Sequence, residues 1–462
     1  MLAGFLFAAL PLFYPGENVS VPCGHARIFD DSGVEVFQTA CGTVRHSDIG
    51  GRFGAFMCVS EARTNWFAFL SRKNVKPCPW IGTGVHPSHG WRKGDIRLSE
   101  AIASAGIGVV RLETNWARCE TKKGEYAPLP GMDAFVHELA RRGITANILI
   151  TYGNKLYDNP LDPHAYAAFC AWTAERYRPW TKHFEIWNEP QNFYFPQTYG
   201  QSGWLDKFIE LTSCAKNAVR CVVPDAVVGV AAEDVESWLD AMIRRGIAGE
   251  KDLIAFHPYC HRQHRPEREY FLKDFGAKHR ALAEKHGGVR RFAITEAGWT
   301  TFDGTGTFWQ VAGSYPKASY SGQADCIVRF YLAALAAGVE FACQYDFKND
   351  GPRRDHAEHN FGLMFEDFSP KPSYAAVAAL SRMVGQAEFI GRMESDPARY
   401  RVMRFKTFDR NILVCWAVEG CVKWIAPEEI RGAGKLDLYG NHCGVNSSGV
   451  VELTERPLYL VW

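Results

Sequence analysis

Short apolar runs alternate with amphipathic stretches from residue 80 to residue 347. The runs are WIGTGV (80–85), GVVRLE (108–113), TANILIT (145–151), HFEIW (183–187), AVVGVAA (226–232), LIAFH (253–257), RFAITE (291–296) and FACQYDF (341–347). Each has the length of a strand buried on both faces. Between them, apolar residues recur at helical spacing. MDAFVHELARRG (132–143) is the clearest case, with Gly143 placed where a helix C-cap stands. The pattern predicts helices over 131–143, 164–177, 205–220, 234–245, 267–286 and 322–337. Strand and helix alternating eight times over roughly 300 residues is the count of an α/β (β/α)8 TIM barrel. A doubly wound sheet is the alternative. It requires a glycine-rich phosphate loop leading into a helix, and GTGVHPSHG (82–90) is not followed by a helix in that register.

The flanks carry a different period. ARIFDDSGVEVFQTA (26–40) alternates about an Asp-Ser-Gly turn, and YRVMRFKTF, NILVCWAV, KLDLYG and PLYLVW after residue 399 also read as strands. Three parts are therefore expected: a β-rich N-terminal segment (1–78), the barrel (79–387) and a C-terminal β domain (388–462), the two ends forming accessory sandwich-like modules. The opening MLAGFLFAALPLFYPG is apolar with no Lys or Arg before it, and both a degenerate signal peptide and a first strand fit it.

Composition narrows the functional classes. Apolar residues make up 47% of the 462 and charged residues 22%, a globular balance. A net charge of +1 gives no field for nucleic acid or a membrane surface, and no segment is apolar enough to span a bilayer. Aromatics reach 13%, with 14 Trp, which suits stacking on sugar faces as well as a large core. The 14 cysteines include no CxxC. Several, such as Cys170, Cys326 and Cys343, lie in apolar runs and read as free thiols, which favours a reducing, cytoplasmic compartment.

Barrel chemistry sits at the C-terminal ends of the strands. Strand four ends in Asn188-Glu189-Pro190 and strand seven in Thr295-Glu296-Ala297-Gly298-Trp299. Each delivers a glutamate to the mouth after an apolar run. Two opposed carboxylates are the requirement of glycoside hydrolysis: one gives a proton to the leaving oxygen and the other acts as an anion. FEIWNEP (184–190) and FAITEAGW (292–299) resemble the acid/base and nucleophile strands of clan A glycoside hydrolases, which are retaining (β/α)8 enzymes. The resemblance covers about residues 80–388. It implies that Glu189 is the general acid/base, Glu296 the nucleophile, and Asn188 a partner of the sugar 2-hydroxyl. AFHPY (255–259) is similar to the clan's sixth strand, which makes His257 and Tyr259 neighbours of the nucleophile, with Tyr259 hydrogen-bonded to Glu296. Arg111 resembles the clan's arginine beside the nucleophile.

The last strand is similar to a narrower group. CQYDFKNDG (343–351) and EHNFGLMFEDFSPKPSYAA (358–376) look like the closing strand and loop of family 39-type endoglycosidases, some of which act on bacterial biofilm exopolysaccharides. That likeness makes Tyr345, Asp346 and Asn349 candidates for the cleft. Many clan members place a Trp at the end of strand eight; here Tyr345 and Phe347 stand instead, which leaves the sugar platform open. Trp299, Phe302, Phe308 and Trp309 after strand seven, and Phe193, Tyr194 and Phe195 after strand four, are the aromatic candidates for substrate binding. An oligosaccharide or polysaccharide partner with no cofactor follows from this reading.

Three rivals remain. A barrel metal hydrolase would use His86, His89, His257, His261 and His264, but strand one shows His-x-x-His where such enzymes usually carry His-x-His, and no set of three ligands is gathered by spacing. A non-catalytic carbohydrate-binding barrel would usually have lost one carboxylate, and both are present. A transglycosylase would use the same pair.

Overall fold

The computed structural model describes residues 10–21, 25–40, 42–61, 64–87, 90–91, 94–190, 203–231, 236–249, 251–259, 265–267, 281–282, 284–286, 291–303 and 317–462. Eight parallel strands close into a barrel in chain order: β1 (Cys78–Val85), β2 (Ile107–Asn115), β3 (Thr145–Thr151), β4 (His183–Ile186), β5 (Val227–Ala231), β6 (Asp252–Phe256), β7 (Arg291–Ala297) and β8 (Ala342–Gln344). The pairing of β8 with β1 completes the ring. The α/β TIM barrel read from the pattern is thus the observed fold. Around it run α1 (Arg97–Ala105), α2 (Met132–Arg141), α3 (Pro163–Tyr177), α4 (Trp204–Val222), α5 (Glu236–Arg244), α6 (Tyr320–Ala336) and α7 (Pro372–Val384). Local chemistry sets their starts: Asp162 caps α3 by accepting from the amides of His164 and Ala165, with Pro163 at the first helical position. The stretch predicted as a helix over 267–286 lies mostly outside the described residues.

Alternation sorts each barrel strand into two environments. Val110, Leu112, Phe184, Ile186 and Ile294 join the large core beneath the helices. Val109, Leu253, Ala293 and Cys343 form a separate cluster inside the barrel. Arg111 and Thr295 stand two residues beyond Val109 and Ala293, so the inward register that is apolar at the bottom turns polar at the top. Asn147 and Glu185 are buried with them. The strands read as uniformly apolar because both faces are covered; the few polar inward positions are the ones the site uses.

The flanks form sheets that are antiparallel except at one edge, where Leu12–Phe13 pairs parallel with Thr64–Phe69. The N-terminal one has five strands in the order Leu12–Phe13, Thr64–Phe69, Gly54–Val59, Ala26–Phe29, Glu35–Thr39, beside a two-stranded ribbon of Asn18–Val21 and Gly42–Arg45. The C-terminal one has six, in the order Glu388–Arg392, Tyr400–Lys406, Asn411–Ala417, Leu458–Val461, Gly434–Leu436, His442–Val445, beside a ribbon of Cys421–Ile425 and Val450–Thr454. Period two again divides the work. In Asn411–Ala417, Leu413, Cys415 and Ala417 fill the C-terminal module's own core. Ile412, Val414 and Trp416, on the other face, belong to the barrel's core. The N-terminal sheet does the same, with Phe56 and Phe67 inward and Ala55, Trp66 and Ala68 against the barrel.

Candidate active site

Glu185 lies on the inner face of β4, its side chain 1% exposed. A carboxylate in that position requires partners. Arg111 of β2 supplies Nε and Nη2 at 3.0 and 2.9 Å, Asn147 of β3 donates at 2.7 Å, and the Thr295 hydroxyl of β7 at 3.1 Å. Gly229, paired with Glu185 across β4 and β5, leaves the necessary space: a Cβ there would stand 3.2 Å from Glu185 Cγ. This buried network fixes the guanidinium, whose remaining donors point to the mouth. Nη1 meets Glu296 Oε2 at 2.8 Å and Nη2 meets Asn188 Oδ1 at 2.7 Å. Burial opposes the charge of Arg111, but Glu185 and Glu296 outweigh it and hold the group firmly protonated.

Glu296 receives a second donor, the Tyr259 hydroxyl, at 2.6 Å from Oε1. Glu189 is met by His257, whose Nδ1 is 2.8 Å from Oε1, while Nε2 faces the Thr295 hydroxyl at 3.1 Å. His257 Nδ1 also lies 3.9 Å from Glu296 Oε2. Burial works against the charged imidazole, yet Glu296 and Glu189 raise its proton affinity above the ordinary value. The carboxylate oxygens of Glu189 and Glu296 and the near nitrogen of His257 lie within 4.8 Å of one another. Both glutamates keep a little exposure, 15% and 16% of the side chain, as groups at a cleft floor do.

The backbone after β4 explains how Asn188 and Glu189 both reach the mouth. Trp187 and Glu189 have φ of 68° and 40°, the left-handed region that side-chain-bearing residues avoid at a cost of about 1 kcal/mol or more each. Packing holds them there. The Trp187 ring is fully buried, edge-on to Tyr152 and Tyr166, and its amide donates to the Ile150 carbonyl at 3.1 Å. Asn188 is then pinned on both sides, accepting from Arg111 and donating to Tyr152 Oη at 3.0 Å.

Seven of the sequence candidates therefore converge: Arg111, Asn188, Glu189, His257, Tyr259 and Glu296, with Tyr345 edge-on to Tyr259 at 6.5 Å between ring centroids. Three others are placed elsewhere. Trp299 is buried at 2% exposure against Phe330 of α6, so it has no free face to offer a sugar. Asn349 is buried, its Oδ1 accepting from Lys371 Nζ at 2.8 Å and from the Gly362 amide at 3.1 Å, and it organises the segment after β8. Asp346 is buried, its Oδ1 accepting from the Phe347 amide; burial and the charge of Asp350 push its carboxyl far up. Phe347 is buried too, packed on Tyr374. Phe193, Tyr194, Phe195, Phe308 and Trp309 lie outside the described residues, as do His89, His261 and His264.

Glu185, Asn147, Thr295, Tyr152 and Glu358 belong to the site and were not singled out by sequence reasoning. A signal existed for the first: Glu185 is a lone charge at an inward position of HFEIW, which demands a cation of the same layer, and Arg111 is one. Glu358 is drawn in by Tyr345, whose hydroxyl lies 3.1 Å from its Oε2. Among the described residues, two sets of side chains approach closely enough to share a cation, Glu189–His257–Glu296 and His86–Asp346–Asp350. His86 and His257 fall in different sets, so the described residues do not bring the histidines of the metal-hydrolase reading together.

No protein-family model matches the sequence, and no curated protein does. Solved structures do match in fold. A family 39 glycoside hydrolase from the gut symbiont Bacteroides cellulosilyticus WH2 superposes with a TM-score of 0.79 at 20% identity, over 98% of this chain and 99% of that one. A glucosidase from Croceicoccus marinus gives 0.58 at 14% identity, over 84% and 96%. A GH30 endoxylanase from Clostridium papyrosolvens C71 gives 0.54 at 8% identity, over 84% and 97%. The likeness to the first runs through the N- and C-terminal sheets as well as the barrel.

Proposed function

We propose that the protein is a glycoside hydrolase that cleaves a β-linked glycan or glycoside by double displacement, with Glu296 as nucleophile and Glu189 as general acid/base. One observation supports the mechanism: an oxygen of Glu189 and an oxygen of Glu296 lie within 4.8 Å of each other. Direct attack by one of them fits that gap. Between carboxyl groups, a retaining enzyme holds about 5–5.5 Å and an inverting one about 6.5–9.5 Å, and so near an approach of oxygens favours the first. The surroundings divide the roles. Arg111 and Tyr259 aim donors at Glu296, which suits a group that attacks as an anion, and the same contacts orient it. Glu189, held by His257, faces the leaving-group side.

In the first step Glu296 bonds to the anomeric carbon as the bond to the leaving oxygen breaks, and Glu189 gives that oxygen its proton. In the second, Glu189 takes a proton from water, whose oxygen bonds to the anomeric carbon and releases Glu296. Asn188, its amide pinned by Arg111 and Tyr152, is the candidate for the sugar 2-hydroxyl. The fold similarity to three glycoside hydrolases supports a carbohydrate substrate. No helix among the described residues is long and apolar enough to cross a membrane.

A panel of aryl β-glycosides and polysaccharides tests this reading. The wild type is expected to cleave at least one with retention. Glu296→Ala should lower kcat by on the order of 10⁴-fold, with azide restoring turnover and giving a product of inverted anomeric configuration. Glu189→Ala should slow poor leaving groups far more than activated ones. Near-wild-type rates in both variants would mean that the pair is structural.

A further inference from the structure

The β8 side of the cleft holds acids that double displacement does not use. The Tyr345 hydroxyl lies 3.1 Å from Asp350 Oδ2 and 3.1 Å from Glu358 Oε2. A phenol carries one hydrogen. Between two ionised carboxylates it makes only a divided bond, with two like charges left facing each other. One added proton on either acid gives two full hydrogen bonds, the phenol donating to one acid and accepting from the other. Glu358 does not swing away from this contact freely. It belongs to a tight turn, Ala357–Asn360, gripped from both ends: the Thr300 hydroxyl donates to the Ala357 carbonyl at 2.7 Å and Lys371 Nζ to the Asn360 carbonyl at 2.9 Å.

Acids from three parts of the barrel bear on Glu358: Glu296 on β7, Asp350 after β8 and Glu189 after β4. The nearby cations are turned elsewhere. Arg111 is taken up by Glu185 and Glu296, Lys348 donates to the Glu366 carbonyl, and Lys371 donates to Thr301, Asn349 and Asn360. His86, just past β1, stands near perpendicular to the Tyr345 ring, 5.5 Å away, and a ring nitrogen of His86 and a carboxylate oxygen of Asp346 lie within 4.8 Å of Asp350, so these two groups also bear on the Asp350 charge. Burial first, and then the charge of Glu296, push the Glu358 carboxyl up to about 7, in agreement with the geometric argument for a held proton.

We propose that Glu358 is a specificity-determining residue of the cleft, which shares a proton with Asp350 across Tyr345 and meets an uncharged sugar as a neutral group, its second oxygen accepting from a sugar hydroxyl. Only the identity of the ligand rests on the glycosidase reading; the shared proton rests on the Tyr345 contacts alone. When the proton leaves, a further anion faces the catalytic pair and sugar binding weakens.

The test begins without any ligand. In protein labelled with ¹³C at the side-chain carboxyls, the Glu358 resonance is identified by its loss in Glu358→Gln and titrated by NMR. A midpoint near 7 is expected. It should fall by at least about one pH unit in Asp350→Asn, whose neutral amide no longer competes for the phenol hydrogen. An ordinary glutamate midpoint, or one that Asp350→Asn does not move, overturns the proposal. The second arm uses 4-nitrophenyl β-D-glucopyranoside and β-D-xylopyranoside. Wild-type KM should rise roughly tenfold per pH unit once the proton is lost, with kcat much less affected, and Glu358→Gln should remove that rise. An identical KM profile in both proteins overturns the specificity role. If the wild type turns over neither glycoside nor any member of the panel, the glycosidase reading fails, and the titration still decides the shared proton.

Discussion

Arg111 concentrates the chemistry of the site in one side chain. It binds a fully buried carboxylate, Glu185, and one at the barrel mouth, Glu296, so it ties the orientation of the mouth carboxylate to the barrel interior. Replacing it with Met should leave Glu185 buried without its cation and cost about 3–5 kcal/mol of stability, read by urea unfolding, together with most of the activity. Tyr259→Phe separates orientation from folding. It removes one donor from Glu296 with little change in shape, and kcat should fall on the order of 10²-fold while KM and the unfolding midpoint stay near wild type. An unchanged kcat would show that Arg111 alone positions the group. At this scale the sequence was partly legible. Glu189 and Glu296 are recognisable because each ends an apolar run on a barrel strand, whereas Arg111, His257 and Tyr259 are reached only through the resemblance of their strands to those of clan A. Trp299 misleads for the same reason: it follows a strand end but turns back under α6. A side chain's direction past the end of a strand depends on backbone angles that residue types do not report.

Among the elements, the close approach of β7 and β8 matters most. A Cβ on Gly298 would stand 2.0 Å from the Tyr345 carbonyl oxygen, so the backbones touch where the strand bearing Glu296 passes the segment bearing Tyr345. Gly298→Ala must push that segment outward. Activity should drop at least roughly tenfold, and the protein should lose on the order of 1–3 kcal/mol, measured by denaturant unfolding. A silent substitution would mean that the segment is more compliant than its packing indicates. Over the described residues the alternation of strand and helix was legible, because the strands are short apolar runs and the helices between them carry apolar residues at helical spacing. The sharing of the flanking sheets between two cores was not. An apolar run such as NILVCWA shows that both faces are covered, but it does not say by what.

Across the whole molecule, Arg456 joins the three parts. Its guanidinium meets Asp31 of the N-terminal module at 2.8 Å and Asp325 of α6 at 3.0 Å, and Tyr439 donates to the same Asp31 oxygen at 2.8 Å. Burial outweighs the help of Arg456 and pushes the Asp325 carboxyl up from 3.8 to about 6. The sign follows. Folding favours the protonated form, so the stability this group contributes is present below its ordinary range and lost as pH rises through about 6. A difference of that size corresponds to about 3 kcal/mol. Asp325→Asn should abolish this component, so that the change in unfolding free energy between about pH 4.5 and about pH 8 is more favourable in the variant than in the wild type. Parallel pH profiles would place the loss elsewhere. The strand Asn411–Ala417 has a different consequence, one of timing. Ile412, Val414 and Trp416 cover a flank of the barrel's core, yet a ribosome makes all eight barrel strands before it reaches them. The nascent barrel waits with that flank bare, its last layer still untranslated, in the state in which chains most readily stick to one another or to a chaperone. The rate of synthesis, as much as the rate of folding, thus sets how long this protein stays vulnerable.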